Sequence, residues 1–242
     1  MAKGIARIEN IPLTERARQA ILDGILQGRF EKRLPSEEAL AEMLNVSRTT
    51  IRTALQSLEQ DGIVTRKRAI GTTINAHVRS STLALQRMVG FDGLLREKNY
   101  EVDVEIDWRR GEPGKELAKP FDFDPKQDSL LAEKSYFADG SLAIHIRDVI
   151  PWSNLKDEDF DGEVPASIFD FSSLEWHERV DHAVAEILPM VKSKSTTALR
   201  MRGDEPFTRL HERHYDARGN LLAASVVDVD NRFFHFEVFR RR

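Results

Sequence analysis

Between Ser47 and Gln56 the chain places Arg48, Thr49, Thr50 and Arg52 in close succession. On a helix turning roughly 100° per residue, Thr49, Arg52, Thr53 and Gln56 share one face, with Arg48 on its flank. That face holds hydrogen-bond donors and no carboxylate. Such a set suits a duplex: a guanidinium pairs in bidentate fashion with a guanine edge, while hydroxyl and amide groups fix the phosphate register. Lys67 and Arg68 follow a short way on and add cations of the kind that give salt-dependent backbone contacts.

A second group of side chains points to a small molecule. Along Ser141 to Ile150, strand alternation puts His145 and Arg147 on one face and Leu142, Ile144 and Ile146 on the other. On a later run, Arg209, His211, Arg213 and Tyr215 also share a face. Two such faces, if they converge, would bind an anionic ligand; otherwise they form a solvated sheet face whose charges pair across strands. A metal site is not implied. His211 and His214 fall on opposite faces of a strand and make a poor chelate, and His177, Glu178, Asp181 and His182 would approach ligand spacing only on a helix. No cofactor is implied either, since no phosphate loop, dinucleotide fingerprint or Gly-x-Ser-x-Gly elbow occurs.

The elements that must position these groups are legible in the apolar pattern. Ala17, Ile21 and Ile25 at i+4 spacing, widened by Leu22 and Leu26, predict a first helix from about Leu13 to Gln27, stopped by Gly28. Ser36 caps a second helix with Glu37 and Glu38 in its first turn and Leu40, Ala41 and Leu44 facing inward. Asn45 and Val46 make a tight turn, and Ser47 caps a third helix from Arg48 to about Gln60, ended at Gly62. Its apolar face is Ile51, Ala54, Leu55 and Leu58. Ile63 to Arg66 and Thr72 to Asn75 then read as a hairpin with a basic tip. Residues 77–82 read as a linker, which divides the chain into a DNA-binding head, 1–76, and a second domain, 83–242.

The second domain is expected to be α+β with a mainly antiparallel sheet. A helix is expected from about Leu85 to Lys98, and strands at Val102–Trp108, Leu130–Phe137, Ser141–Ile150, Val180–Leu188, Pro206–Tyr215, Leu221–Val229 and Phe233–Phe239. Asp139-Gly140 and Arg218-Gly219-Asn220 supply hairpin turns. Short helices are expected at Gly114–Lys119 and Ser193–Met201, and a solvated acidic loop at Lys156–Glu163.

Bulk composition limits the alternatives. The 242 residues contain no cysteine, which excludes disulfides, thiolate zinc sites and cysteine nucleophiles. No apolar run approaches the roughly 18 residues of a membrane span, and the start lacks the apolar core of a signal peptide, so a cytoplasmic location is expected. The net charge of −4 hides an asymmetry. Residues 1–78 carry 12 Lys+Arg against 9 Asp+Glu, and the remainder carries 24 against 31. A basic head on an acidic body suits a protein that docks one end on DNA.

Leu34-Pro35-Ser36-Glu37, Val46-Ser47-Arg48-Thr49-Thr50-Ile51-Arg52-Thr53-Ala54-Leu55, Leu58, Gly62-Ile63-Val64 and Gly71-Thr72 resemble the winged helix-turn-helix head of the GntR family of bacterial transcription regulators. Residues 83–242 resemble the UTRA effector-binding domain of its HutC-like subfamily, which has a chorismate-lyase-like α+β fold. That likeness rests on Ala138-Asp139-Gly140 with a strand ending at Pro151, on Arg213-x-Tyr215-Asp216-x-x-Gly219, and on Asn231-Arg232-Phe233-x-x-Phe236.

The resemblance implies a repressor with a small-molecule effector, acting as a homodimer on a palindromic operator. It places Ser47, Arg48, Thr49, Thr50 and Arg52 at the duplex; Gln56 extends that face, and Lys67, Arg68 and Gly71 belong to the wing. Two positions depart from the family: Ala69 stands where a wing-tip glycine is common, and Glu37 or Glu38 where the family often has arginine. In the effector domain, positions that hold a phosphate in some members are Lys134 and Tyr136 here, while two expected glutamates fall on Ile146 and Ala223. A phosphosugar ligand is therefore not the expectation. Because a lyase shares the fold, an enzyme fused to a DNA-binding head stands as the rival reading, and an effector-independent DNA-binding protein as a third.

Overall fold

The computed structural model describes residues 12–26, 28–67, 71–75, 90–194, 197–234 and 236. The chain divides into two compact units, one built on Met1–Leu83 and one on Ala84–Phe236.

The first unit packs three helices, α1 (Leu13–Leu26), α2 (Glu37–Leu44) and α3 (Arg48–Gln60), against a hairpin of β1 (Val64–Lys67) and β2 (Gly71–Ile74). Ala17, Ile21, Leu22 and Ile25 of α1 meet Leu40 and Ala41 of α2 and Ile51, Ala54, Leu55 and Leu58 of α3 in one core. The caps fall on the expected residues. Ser36 Oγ accepts from the Ala39 amide at 3.1 Å, and Ser47 Oγ from the Thr50 amide at 3.1 Å. Asn45 turns the chain between α2 and α3 with φ 50°, a left-handed conformation that asparagine tolerates better than most residues. The segment before α2, read in sequence as a plain loop, also holds the hairpin. The Leu34 amide donates to Thr72 O and the Ile74 amide to Lys32 O, both at 3.0 Å.

The second unit is built on a six-stranded antiparallel sheet in the order β3-β4-β5-β8-β7-β6. The strands are β3 (Val102–Gly111), β4 (Ser129–Ala138), β5 (Ser141–Pro151), β6 (His182–Val191), β7 (Pro206–Tyr215) and β8 (Leu221–Val229). Three further helices are α4 (Phe91–Arg96), α5 (Gly114–Ala118) and α6 (Ile168–Glu175). The register Ile106–Lys134–Ile146–Val227–Leu210–Ile187 fixes which side chains share a face. On this first face Tyr136, Ile144, Ile146, Leu210, Val227 and Val229 pack with Leu94 and Leu95 of α4 and with Phe234. Beside them, Leu130, Ile150 and Ala223 pack with Trp152, Phe171 and Trp176. On the opposite face Phe121, just after α5, covers Ala224 and Val226.

Three expectations are corrected. Phe233, Phe234 and Phe236 are not in a strand: the Phe233 and Phe234 amides donate to Asp230 O and the Asp230 carboxylate accepts from the Arg232 amide, a local turn that competes with sheet pairing. Among the described residues of Ser193–Met201 there is a 3-10 turn at Lys192–Lys194 and no α-helix, and residues 197–201 are irregular. Helix α6 was not expected; its apolar residues Ile168, Phe169 and Phe171 are too few to declare a period, yet Ser167 caps it and Phe171 seals the core. Of the helix expected at Leu85–Lys98, residues 91–96 are helical and 85–89 lie outside the described residues, as do the linker, Arg68, Ala69 and residues 237–239.

Candidate nucleic-acid interface and effector site

Helix α3 presents its polar face to solvent. Arg48, Thr49, Arg52, Thr53 and Gln56 are exposed, while Ile51, Ala54, Leu55 and Leu58 are buried beneath them. Ser47 Oγ lies 2.8 Å from Thr50 Oγ1, and Thr53 Oγ1 donates to Thr49 O at 3.1 Å, so two hydroxyls of this face are already engaged within the helix. Lys67 is exposed at the end of β1, paired in register with Gly71, whose φ is 90°. A side chain at Gly71 would be strained by that backbone, which explains a glycine where the wing turns back.

The two arginines of this face are held by the first turn of α2. Glu37 Oε2 accepts from Arg52 Nε at 3.3 Å and Nη2 at 3.1 Å, and its Oε1 accepts from Arg66 Nη2 at 2.6 Å. Glu38 pairs with Arg48. Glu37 thus ties the exposed face of α3 to the hairpin through Arg66, a partner that no sequence spacing marks. Arg66 is further fixed by its amide, which donates to Glu59 Oε1 at 2.9 Å.

The candidate effector residues separate into distinct places. Lys134 and Tyr136 lie on the first face of the sheet, under α6. Lys134 Nζ is 2.9 Å from Asp148 Oδ2, with both side chains 1% exposed, and it donates to Ala166 O at 3.1 Å. Tyr136 donates to the same carbonyl at 2.7 Å, and burial pushes its phenol well above the usual range. Ser225 donates to Asp148 Oδ1 at 2.6 Å and sits 3.0 Å from His214 Nε2. Burial, with the Asp148 carboxylate nearby, pushes the Glu212 carboxyl up to about 7, and burial pulls His214 down to about 4. The gap among these groups is about 20 Å³. That is room for one water and not for a metabolite.

His145, Arg147, Arg209, His211, Arg213 and Tyr215 occupy the opposite face. Most are paired across strands. Arg209 makes a two-pronged bond to Asp228 at 2.6 and 2.9 Å, His145 Nε2 lies 3.1 Å from Glu133, and His211 lies 3.8 Å from Glu186. Burial pulls both histidines below the usual imidazole value. Arg213 donates to Pro120 O at 2.5 Å and covers the Phe121 ring, while Tyr215 stacks on His182 at 5.3 Å. Phe121 packs on Ala224 and Val226 and meets the His211 ring edge-on at 5.4 Å. Arg147 instead borders a cleft of about 180 Å³ with Asp107, Arg109, Leu117, Leu131 and Glu133. His211 and His214 do lie on opposite faces, and among the described residues no group of His, Asp or Glu is arranged to hold a metal.

Comparison with known proteins agrees with this geometry. Residues 13–74 match the family described as bacterial regulatory proteins, gntR family. The chain is 40% identical over 75 residues to the HTH-type transcriptional regulator GgaR of Escherichia coli (strain K12), covering 29% of each. It is 35% identical over 77 residues to the probable fructoselysine utilization operon transcriptional repressor of the same strain, covering 31% of this chain and 32% of that one. The match thus spans about three-tenths of these curated relatives. Among solved structures, the possible transcriptional regulator YydK of Bacillus subtilis superposes with TM-score 0.66 at 16% identity, covering 96% of this chain and 100% of that one. PhnF of Mycobacterium smegmatis superposes with TM-score 0.52 at 19% identity over 93% and 99%. These likenesses extend the fold match from the head to the six-stranded unit.

Proposed function

We propose that this chain, whose residues 13–74 are a gntR-family winged helix-turn-helix head, is a sequence-specific DNA-binding transcription regulator. It acts as a repressor in the cytoplasm, and a small molecule bound to the second unit sets its affinity for the operator. The observation that carries this reading is the exposed face of α3, where Arg48, Thr49, Arg52, Thr53 and Gln56 stand clear of the core with no carboxylate among them. Residues near the start of a recognition helix reach base edges when it enters the major groove. Arg52 is assigned to a guanine, Arg48, Ser47, Thr49 and Thr50 to phosphate register, and Lys67, Arg68 and Gly71 to the wing contact.

One head covers one half-site, so the working form is a homodimer on a palindrome. The outer edge of β6 supports this. Val184 and Ile187 are 51% and 45% exposed there, and a long apolar edge strand is a template for pairing. Antiparallel pairing of β6 with its copy brings the Asp181 end of one strand to the Lys192 end of the other. Selection of bound sequences from random DNA tests the whole reading. A palindromic consensus is the expected result; recovery of no consensus would refute sequence-specific regulation.

A further inference from the structure

The cleft beside Arg147 has the features of a built ligand site, and the buried cluster at Lys134 and Tyr136 does not. Its floor is the second face of the sheet: Asp107 and Arg109 on β3, Leu131 and Glu133 on β4, and Arg147 on β5. Leu117 of α5 forms the opposite wall. The space is about 180 Å³. Only about 20 Å³ is free at Lys134, whose charge is already matched by Asp148.

Arg147 is the incomplete element. Its side chain is 19% exposed, and its ion-pair partner among the described residues is Glu116 at 3.6 Å, a side chain itself 72% exposed. That distance is too long for a hydrogen bond. Glu133, directly opposite Arg147 in the ladder, turns to His145 instead. A guanidinium offers five N–H donors in a fixed fork that fits a carboxylate. A largely desolvated cation with one loose partner is costly, and the cost is recovered when an anion docks. The rest of the lining narrows the anion. With Arg109 beside Arg147, the carboxylates of Asp107 and Glu133 balance the two guanidiniums, which suits a ligand of one negative charge better than a dianion; they also accept hydrogen bonds from hydroxyl or ammonium groups, and Leu117 and Leu131 cover a short carbon chain.

We propose that this cleft is the effector site, and that it takes a small monocarboxylate bearing hydroxyl or ammonium donors, whose carboxylate displaces Glu116 from Arg147. The assignment rests on the reading of the second unit as an effector domain. It also excludes Lys134, Tyr136, Arg213 and Tyr215 from ligand contact.

The test is calorimetry of the full chain against a panel of hydroxy- and amino-monocarboxylates of three to six carbons, including D-gluconate and L-serine, with sorbitol as an uncharged control. A binder is expected, with affinity lowered about ten- to a hundredfold by Arg147→Ala and abolished by Leu117→Trp, which fills the cleft without changing charge. Arg147→Lys keeps the charge and loses the fork, so an intermediate loss is expected from it even if the alanine variant folds poorly. Failure of the whole panel to bind at 10 mM concentrations, on the order of the weakest measurable affinity, overturns the proposal. So does a binder held equally well by Arg147→Ala and Leu117→Trp. Binding of selected operator DNA by the ligand-free wild type is read separately, so loss of the regulator reading is distinguishable from loss of this site.

Discussion

Arg48, at the start of the recognition helix, is ion-paired to Glu38 in the first turn of the preceding helix. Both side chains are more than half exposed, so the pair adds little to stability. Its consequence falls on DNA binding, because the cation assigned to a phosphate is engaged by a carboxylate that would itself face that phosphate. Glu38→Gln should therefore tighten operator binding severalfold and steepen the dependence of log affinity on log salt by about one. Fluorescence anisotropy across a salt series measures both. Unchanged affinity and slope would remove Arg48 and Glu38 from the interface.

Arg52 differs because its partner Glu37 also holds Arg66 of the wing. Arg52→Ala should relax discrimination at one base step in each half-site by about 1–3 kcal/mol while leaving the other steps intact. Competition between the operator and its single-base variants reads this directly. A uniform loss across all positions would reassign Arg52 to the backbone.

The Lys134–Asp148 pair is buried at both ends. Lys134→Ala leaves an uncompensated carboxylate and should destabilise the second unit by about 3–5 kcal/mol. Lys134→Met with Asp148→Leu should recover most of that loss, as measured by urea unfolding. If the single and double variants lose stability equally, the pair is not the reason for the loss.

Glu212 gives the second unit a pH dependence of unusual sign. Its folded value of about 7 lies above the ordinary 4.5, so between those limits the folded protein keeps a proton that the unfolded chain has released. Stability from this group is full below that window and is lost as pH rises through about 7. His214 acts in the opposite sense: its folded value of about 4 lies below 6.5, and its contribution is lost as pH falls through that interval. The two offset one another between about 4.5 and 6.5. Glu212→Gln removes the first effect alone, and relative to wild type it should gain about 1–3 kcal/mol at pH 8 and nothing at pH 4. Equal differences at both pH values in urea unfolding would show that Glu212 is not held protonated.

The helices of the head were legible in outline, and their caps by name, because the signals are local. Ser36 and Ser47 cap the helices from the positions their types favour, and Ile51, Ala54, Leu55 and Leu58 declare the buried face by spacing alone. The strands Pro206–Tyr215 and Leu221–Val229 were equally plain, being β-rich runs bounded by a turn, the second of them buried almost throughout. Phe233 to Phe236 misled for the same reason: apolar side chains mark burial, while the Asp230 turn that decides the backbone is a local competitor.

Residue type and local spacing are enough to say what kind of surface each element offers: a donor-only face on α3, a basic hairpin, and cations on one face of β5 and of β7. Which of those cations are neutralised by a carboxylate depends on the packed chain. Residues far apart in sequence supply the partners, as Glu37 does for Arg66, Asp148 for Lys134 and Asp228 for Arg209. Pairing at that range is set by strand order and helix packing, which no local spacing encodes. Strand order also put Lys134 and Arg147 on opposite faces of one sheet, and it left Arg147, loosely paired with Glu116 at 3.6 Å, at the edge of a cleft.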